Sequence, residues 1–284
     1  MMRFASACVV VAIAACSSAA IAAGGEVAAP GVTFGEGAPS SDRPVPEAKP
    51  DRPRDARDAA PIVGTTVTAF GAPGWSAGAA GYAGFLGLSR PTPGTQAYEP
   101  GGGARIWAAP VDRLTVLVEI DRRYYRGFSP AVTAMVRIAG DRRRGWALGA
   151  GMSYRAESFA ELGGELEGAL HLSVARAGFH SDLNVVAGGG LEEEAGGEAD
   201  GEVKLRLGYD VASWLRIGAD GRFRQRLAGA KTLPGGRFSD AMGGPEVLFG
   251  YRNFFWAIAA GPTTVGVANG YGWTGTGTFG AAIF

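Results

Sequence analysis

The sequence predicts an all-β fold, an antiparallel up-and-down transmembrane β-barrel of about twelve strands. Apolar and polar residues alternate with a period of two over much of the chain from about residue 77 onward. The connections between these segments are long and short in turn, as in a barrel with longer loops at one end. The 47 glycines among 284 residues show no collagen period and favour strands and turns over helix interiors.

Composition excludes several classes of protein. The 27 basic residues equal the 27 acidic ones, so no basic excess is available to displace counterions from a nucleic acid. Two cysteines cannot build a disulfide framework. No segment after the N-terminal signal reaches the roughly 18 uninterrupted apolar residues that a transmembrane helix needs. Any crossing of a membrane therefore has to use strands.

The N-terminus predicts an export signal over residues 1–22. Arg3 supplies the positive charge, an apolar stretch follows, and a small-residue cleavage site ends at Ala22. A second interpretation stays open, because the residues before Cys16 resemble a bacterial lipobox and Cys16 would then be the lipidated first residue. Cys8 lies inside the signal, so neither interpretation leaves a structural disulfide.

Residues 23–62 follow as a segment rich in Pro, Ala, Arg and Asp, with almost no aliphatic periodicity. Such a composition buries too little apolar area to offset the entropy of ordering the chain. We therefore predict a disordered linker over residues 23–62 and assign residues 63–284 to the barrel.

The predicted strands are long enough, at about ten residues, to cross a bilayer when tilted. Their alternation is clearest in segments 114–121, 132–138, 146–154, 166–174, 203–209 and 215–223. Short connections near residues 111–112, 140–145, 177–178, 210–212 and 252 separate long ones near 90–100, 125–129, 157–163, 191–198, 226–239 and 261–271. This order predicts an even number of strands, with both termini at the end that carries the short turns.

One hairpin tests the register of this scheme. A two-residue turn at Ala177-Gly178 places His171 opposite Asn184 and Ser173 opposite Asp182, so that polar residues face polar residues. On the other face of the same hairpin, Leu172 lies opposite Leu183. The pattern closes without a bulge.

Residues from about 77 to 284 resemble a Gram-negative outer-membrane β-barrel protein of porin-like architecture. Besides the signal and the strands, the resemblance rests on aromatic residues that flank the short turns or lie towards the opposite end, and on the C-terminal Phe284. The aromatic residues are Trp146, Tyr209, Trp214, Tyr251, Phe254, Phe255 and Trp256 at the turns, and Tyr124, Tyr125, Phe128 and Tyr154 at the opposite end. The resemblance implies an outer-membrane location, contact with membrane lipid, and recognition of Phe284 by the barrel-assembly machinery.

Alternation alone leaves open which face of the strands points inward. An exported soluble β-sandwich would place the apolar face inside. The membrane interpretation is favoured because a barrel of about a dozen strands is too wide to fill with aliphatic side chains. In that case the polar face lines the lumen, which predicts this lining set: Glu119, Asp121, Arg137, Arg155, Glu165, Glu167, His171, His180, Asp182, Glu202, Lys204, Arg206, Arg216, Asp220, Arg222 and Arg224.

Three functions follow from such a lumen. Water-filled, it predicts a passive or weakly selective pore for small polar solutes, since acidic and basic residues nearly balance. Filled by ion pairs, it predicts a closed barrel with a structural or surface-interaction role. A third hypothesis is an outer-membrane lipid hydrolase, because His171, Ser173 and Asn184 resemble the catalytic residues of outer-membrane phospholipase A. Val174 departs from that pattern, and these residues lie on the polar stripe rather than on the lipid-facing one.

The sequence contains no convincing cofactor or metal site. The acidic run Glu192-Glu193-Glu194 sits between glycines and predicts a solvated loop rather than a divalent cation site. Neither a dinucleotide fingerprint nor a phosphate-binding loop is present in the sequence. We therefore predict a protein without a cofactor.

Overall fold

Twelve long strands form the wall of this protein. The computed structural model describes residues 56–63, 66–89, 98–123, 127–156, 164–191, 199–228, 239–265 and 270–284. A short helix and two short strands come first, α1 (Ala56–Ala59), β1 (Ile62–Val63) and β2 (Thr66–Val67). The wall strands are β3 (Ser76–Leu88), β4 (Tyr98–Val111), β5 (Leu114–Arg123), β6 (Gly127–Asp141), β7 (Trp146–Ala156), β8 (Gly164–Arg176), β9 (Phe179–Gly190), β10 (Ala199–Ala212), β11 (Leu215–Ala228), β12 (Ser239–Tyr251), β13 (Phe254–Val265) and β14 (Gly270–Ile283).

The wall strands close into one antiparallel barrel. Each strand pairs with its sequence neighbour, and β14 pairs with β3 to complete the ring. Ala77 at the start of β3 lies opposite Ile283 at the end of β14. The five short turns, between β4 and β5 and then at every second connection, lie at this same end, which we call the turn end; the opposite end is the loop end. The prediction of an up-and-down barrel of about twelve strands is confirmed.

The register predicted for the β8–β9 hairpin is also confirmed. His171 pairs with Asn184, Ser173 with Asp182, and Leu172 with Leu183. The turn residues Ala177 and Gly178 have φ angles of 51° and 83°. Positive φ at both central residues is typical of a two-residue type I′ turn, whose twist matches that of the strands.

This turn yields a stability prediction. Asparagine tolerates the left-handed conformation that Ala177 adopts here, so Ala177→Asn should stabilise the folded barrel by about 0.5 to 1 kcal/mol. Urea unfolding in lipid vesicles, followed by tryptophan fluorescence, measures the change. Gly178→Ala is the matched control and should have the opposite effect. An unchanged midpoint for both variants would show that the turn does not limit stability.

The outer face of the barrel is apolar. Leu170, Val185, Leu205 and Ile217 are among its many exposed large hydrophobic residues. A soluble sandwich would bury this face, so the closed barrel overturns that alternative. Within the described ranges, no helix is long and apolar enough to cross a membrane.

Aromatic residues mark both ends of this apolar face. At the turn end, Phe249 stacks between Trp214 and Trp256, with ring centroids 6.0 and 5.6 Å apart. At the loop end, Phe85 stacks on Tyr98 at 6.2 Å, and Trp273 is exposed. Bands of this kind are typical of the two interfaces of a membrane barrel.

The aromatic assignments from the sequence need one correction. Phe255 points into the barrel, where it is buried against Trp107, because its register position alternates with those of Phe254 and Trp256. Phe128 is exposed at the loop end, as predicted. Tyr124 and Tyr125 lie outside the described residues.

Residues 56–63 and 66–75 precede the first wall strand and lie inside the barrel. Ala56, Ala59 and Val63 pack against Trp107 and Leu248 of the inner wall. The sequence had placed residues 56–62 in the disordered linker and started the barrel at residue 63, whereas the wall begins at Ser76. The prediction of disorder for residues 56–62 considered only the apolar area that the segment can bury. In the structure, side chains of the wall supply polar partners to the backbone of this segment. The signal, Cys16 and the linker up to residue 55 lie outside the described residues.

Candidate functional site: the barrel lumen

The lumen is lined by the alternate residues of every wall strand. In a closed barrel the less exposed side chains of each strand face inward, and the burial of β8 and β9 follows this period of two. Every residue of the predicted lining set lies on this inner face. Along β8 to β11 the set separates into a loop half, where Arg222 and Arg224 are partly exposed, and a turn half, where Asp182, Arg206 and Arg216 are buried.

A cluster of charges occupies the β3–β7 side of the loop half. Glu119 binds Arg155 at 2.8 Å and Arg105 at 3.4 Å. Asp121 lies 3.6 Å from Arg155 and accepts a hydrogen bond from the Tyr82 hydroxyl at 3.2 Å. Every charge in this cluster has an opposite charge beside it, so the cluster carries little net field into the lumen.

The opposite side of the loop half carries a basic stripe, formed by Arg222 and Arg224 of β11. Arg222 and Lys204 both contact Glu202, at 3.3 and 3.0 Å. Arg224 donates a hydrogen bond to Asp200, and its guanidinium lies 4.0 Å from Glu165. The stripe is therefore neutralised by carboxylates of neighbouring strands rather than left as a basic wall.

In the turn half, Arg206 and Asp182 form a buried pair. Two N–H groups of Arg206 donate to one oxygen of Asp182, at 2.6 and 3.1 Å. The other oxygen of Asp182 accepts a hydrogen bond from the Ser173 hydroxyl at 2.5 Å. Asp220 and Glu246 are buried on the neighbouring strands β11 and β12. Both carboxyl groups interact electrostatically with Arg206, so its guanidinium faces three acidic side chains.

A second buried network lies close to the turns. Arg216 donates to Asp210 at 2.8 Å and to the Nε2 atom of His180 at 2.8 Å. The same guanidinium reaches Asp58 of α1 at 3.0 Å. This network joins the wall strands to the segment that runs inside the barrel.

The three candidate hydrolase residues are all buried, and they are not assembled as a catalytic triad. Ser173 bonds to Asp182 and to the backbone N–H of Ala69 instead of to a histidine. Both polar groups of the Asn184 side chain are bonded to Val67. Neither ring nitrogen of His171 has a hydrogen-bond partner in the described part of the chain. Among the residues that the structure describes, these three therefore form no serine nucleophile bonded to a histidine.

Several inward residues were missed from the sequence. Arg105 follows a run of glycines in β4, and Glu246 follows Gly243-Gly244-Pro245 in β12. In such runs polar and apolar positions cannot be told apart, so the alternation is not visible. Asp210 was taken as part of a turn and lies inside β10. Extending the period of two through these strands would have found all three.

No metal centre is formed by the described residues. The acidic run Glu192-Glu193-Glu194 lies outside them. Arg137, another member of the lining set, donates to the carbonyl of Phe70 at 3.3 Å. The described part of the lumen presents ion pairs and a resident segment of the same chain.

No family model and no curated protein matches the chain. Solved structures do match. An outer membrane channel from Pseudomonas putida F1 aligns over 74% of this chain and 96% of its own, with a TM-score of 0.56 and 12% identity. The NanC porin aligns over 72% of this chain and 98% of its own, with a TM-score of 0.54 and 9% identity. At this identity the likeness extends to the fold alone, and that fold is a closed, porin-like β-barrel.

Proposed function

We propose that this protein is an outer-membrane pore that passes small polar solutes with little selectivity. The supporting observation is the gradient in exposure of the inward-facing charges along β8, β10 and β11. In the loop half the side chains of Glu165, Arg222 and Arg224 are 43%, 33% and 30% exposed. In the turn half Arg206 and Arg216 are 8% and 6% exposed. Water therefore reaches the loop half, where a polar solute would stay hydrated.

Weak selectivity follows from the pairing of these charges. Arg222, Arg224 and Arg155 each lie beside a carboxylate, so neither sign dominates the exposed part of the lumen. A strongly selective filter requires a ring of charges of one sign. A small ion or neutral solute would instead meet charges of both signs in this lumen.

Planar-bilayer recording of the purified full chain tests the proposal. We expect discrete conductance steps and a reversal potential close to zero across a potassium chloride gradient, because the inward charges nearly balance. The double variant Arg222→Glu, Arg224→Glu should shift the reversal potential towards cation preference. Folded barrels that never conduct, in the parent and in every variant, would contradict the proposal.

A permanently closed barrel with a structural or surface-interaction role is the second candidate. The observation that favours it is the segment 56–75, which occupies the turn half of the lumen. The lipid-hydrolase hypothesis has no comparable support, since Ser173 is fully buried and bonded to Asp182. It predicts release of fatty acid from phospholipid micelles, abolished by Ser173→Ala.

Location and assembly complete the proposal. The signal over residues 1–22 would direct export, and the outward apolar face would contact outer-membrane lipid. Phe284, which lies at the turn end with part of its surface exposed, would be presented to the barrel-assembly machinery. Lipidation at Cys16 stays the alternative to cleavage after Ala22.

A further inference from the structure

Residues 56–63 and 66–75, here called the plug, lie in the turn half of the lumen. The side chains of Ala56, Ala59 and Val63 are almost completely buried. Their apolar neighbours, which include Trp107, Leu248 and Phe255, belong to β4, β12 and β13. On the other side, Phe70 and Ala69 pack with Ala147 of β7. The plug thus contacts strands around much of the ring and occupies the path that a solute would take.

The wall recognises the backbone of the plug with side chains. Asn184 accepts from the N–H of Val67 and donates to its carbonyl, both at 2.7 Å, as a neighbouring strand would. Ser173 accepts from the N–H of Ala69 at 2.7 Å. Further bonds of this kind join Thr115 to Ala72, Asp112 to Gly74, Arg206 to Val63 and Arg142 to Asp58.

The plug takes no part in the strand ladder of the wall. β1 and β2 pair only with each other, in a separate two-stranded sheet. Releasing the plug therefore breaks side-chain bonds, apolar contacts and the backbone bond from Ala56 to Arg252, but it leaves all twelve wall pairings intact.

The attachment of the plug allows it to leave through the turn end. Its last residue, Trp75, is followed directly by Ser76 at the turn end of β3, so the covalent link stays at the mouth of the barrel. Near this link Gly71 and Trp75 have φ angles of 64° and 59°. Its other end is held at the same mouth, where the N–H of Ala56 donates to the carbonyl of Arg252 at 2.8 Å.

We propose that the plug is a reversible internal ligand of the barrel, which closes the pore when it is docked and opens it when it is released. This inference rests on the proposed function. The docking site is the inner wall around Asn184 and Ser173, and the chemical class it binds is an extended peptide read through its backbone. Because the recognition is by side chains, a substitution in the wall changes the docked fraction without disturbing the ladder.

A disulfide between the plug and the wall tests this. A Cβ built on Gly149 lies 3.7 Å from the Cβ of Ala69, within the range that a disulfide spans. In the full chain, Ala69→Cys with Gly149→Cys should hold the barrel in its closed state under oxidising conditions. Reduction should restore the openings seen in planar bilayers. The matched control is Thr133→Cys with Ser153→Cys, which staples two adjacent wall residues and should leave gating unchanged.

A second variant tests release directly. Asn184→Leu removes both bonds to Val67 and should increase the open fraction about tenfold or more, because only the docked state loses the interaction. Thr133→Val is its control, since the Thr133 hydroxyl bonds to Ser153 of the wall and not to the plug.

The outcomes separate the two proposals. If the disulfide variant conducts equally when oxidised and when reduced, and Asn184→Leu has the open fraction of the parent, the plug proposal is wrong. The pore proposal is not affected by this result. Folded barrels that conduct in no form, Asn184→Leu included, would overturn the pore and the plug together. Openings that appear only on reduction, or only in Asn184→Leu, support both proposals.

Discussion

The Arg206→Met variant should unfold at a markedly lower urea concentration than the parent, with a loss of about 3 to 5 kcal/mol. Arg206 forms the buried pair with Asp182, and its guanidinium also donates to the carbonyl of Val63 in the plug. Without the guanidinium, Asp182 keeps only the Ser173 bond, and the nearby carboxylates Asp220 and Glu246 lose the attraction of its positive charge. A buried charge without a partner of opposite sign strongly lowers the free energy of unfolding.

Two further variants identify the cause of this loss. Lys204→Met removes a charge two residues before Arg206 on the same strand, where the side chain is more exposed. This variant should lower the free energy of unfolding by no more than about 1 kcal/mol. The double variant Arg206→Met, Asp182→Leu should recover part of the stability, because no carboxylate is then left at position 182. Equal losses for Arg206→Met and Lys204→Met would mean that the turn half is as wet as the loop half.

Exchanging two neighbours of β10 should prevent insertion of the barrel. In the variant Lys204→Leu, Leu205→Lys the composition is unchanged, but the charge moves from the lumen to the outer face. A lysine on the lipid face near the middle of the bilayer costs about 2 to 4 kcal/mol. The loss of the Lys204 contact with Glu202 adds a smaller cost.

The measurement is heat-modifiable mobility on an SDS gel of the outer-membrane fraction. The parent should shift on boiling, whereas the exchanged variant should show mostly the unfolded band. The single variants Lys204→Leu and Leu205→Val are controls and should fold nearly as the parent does. Efficient folding of the exchanged variant would mean that Leu205 does not face lipid, which would contradict the membrane assignment.

The strands and their order could be predicted because both depend on local rules. Side chains alternate between the two faces of any strand, so residues such as Leu205 and Arg206 reveal their opposite faces from sequence position alone. A two-residue turn sets the register of its hairpin, which is why the pairing of His171 with Asn184 was predictable. Alternation weakened where glycine removed the contrast, and Arg105 was missed for that reason.

Which face of each strand points inward, and which charges form pairs, depended on closure of the barrel. Phe255 and Trp256 are adjacent aromatics in the sequence, and only the register of the closed barrel shows that one is inside and the other outside. Likewise, Arg224 was predicted in the lumen, but its partner Asp200 lies on a neighbouring strand, at a height that the sequence alone does not supply.

The sequence by itself determined a β-barrel of about twelve strands with one polar and one apolar face, because alternation and turn lengths are properties of short segments. Only the tertiary structure decided what fills the turn half of that barrel. The plug, whose first seven residues lie in the predicted linker, is ordered because Asn184, Ser173 and Arg206, far apart in the chain, converge on its backbone. Partners brought together by barrel closure leave no local pattern in the segment that they bind.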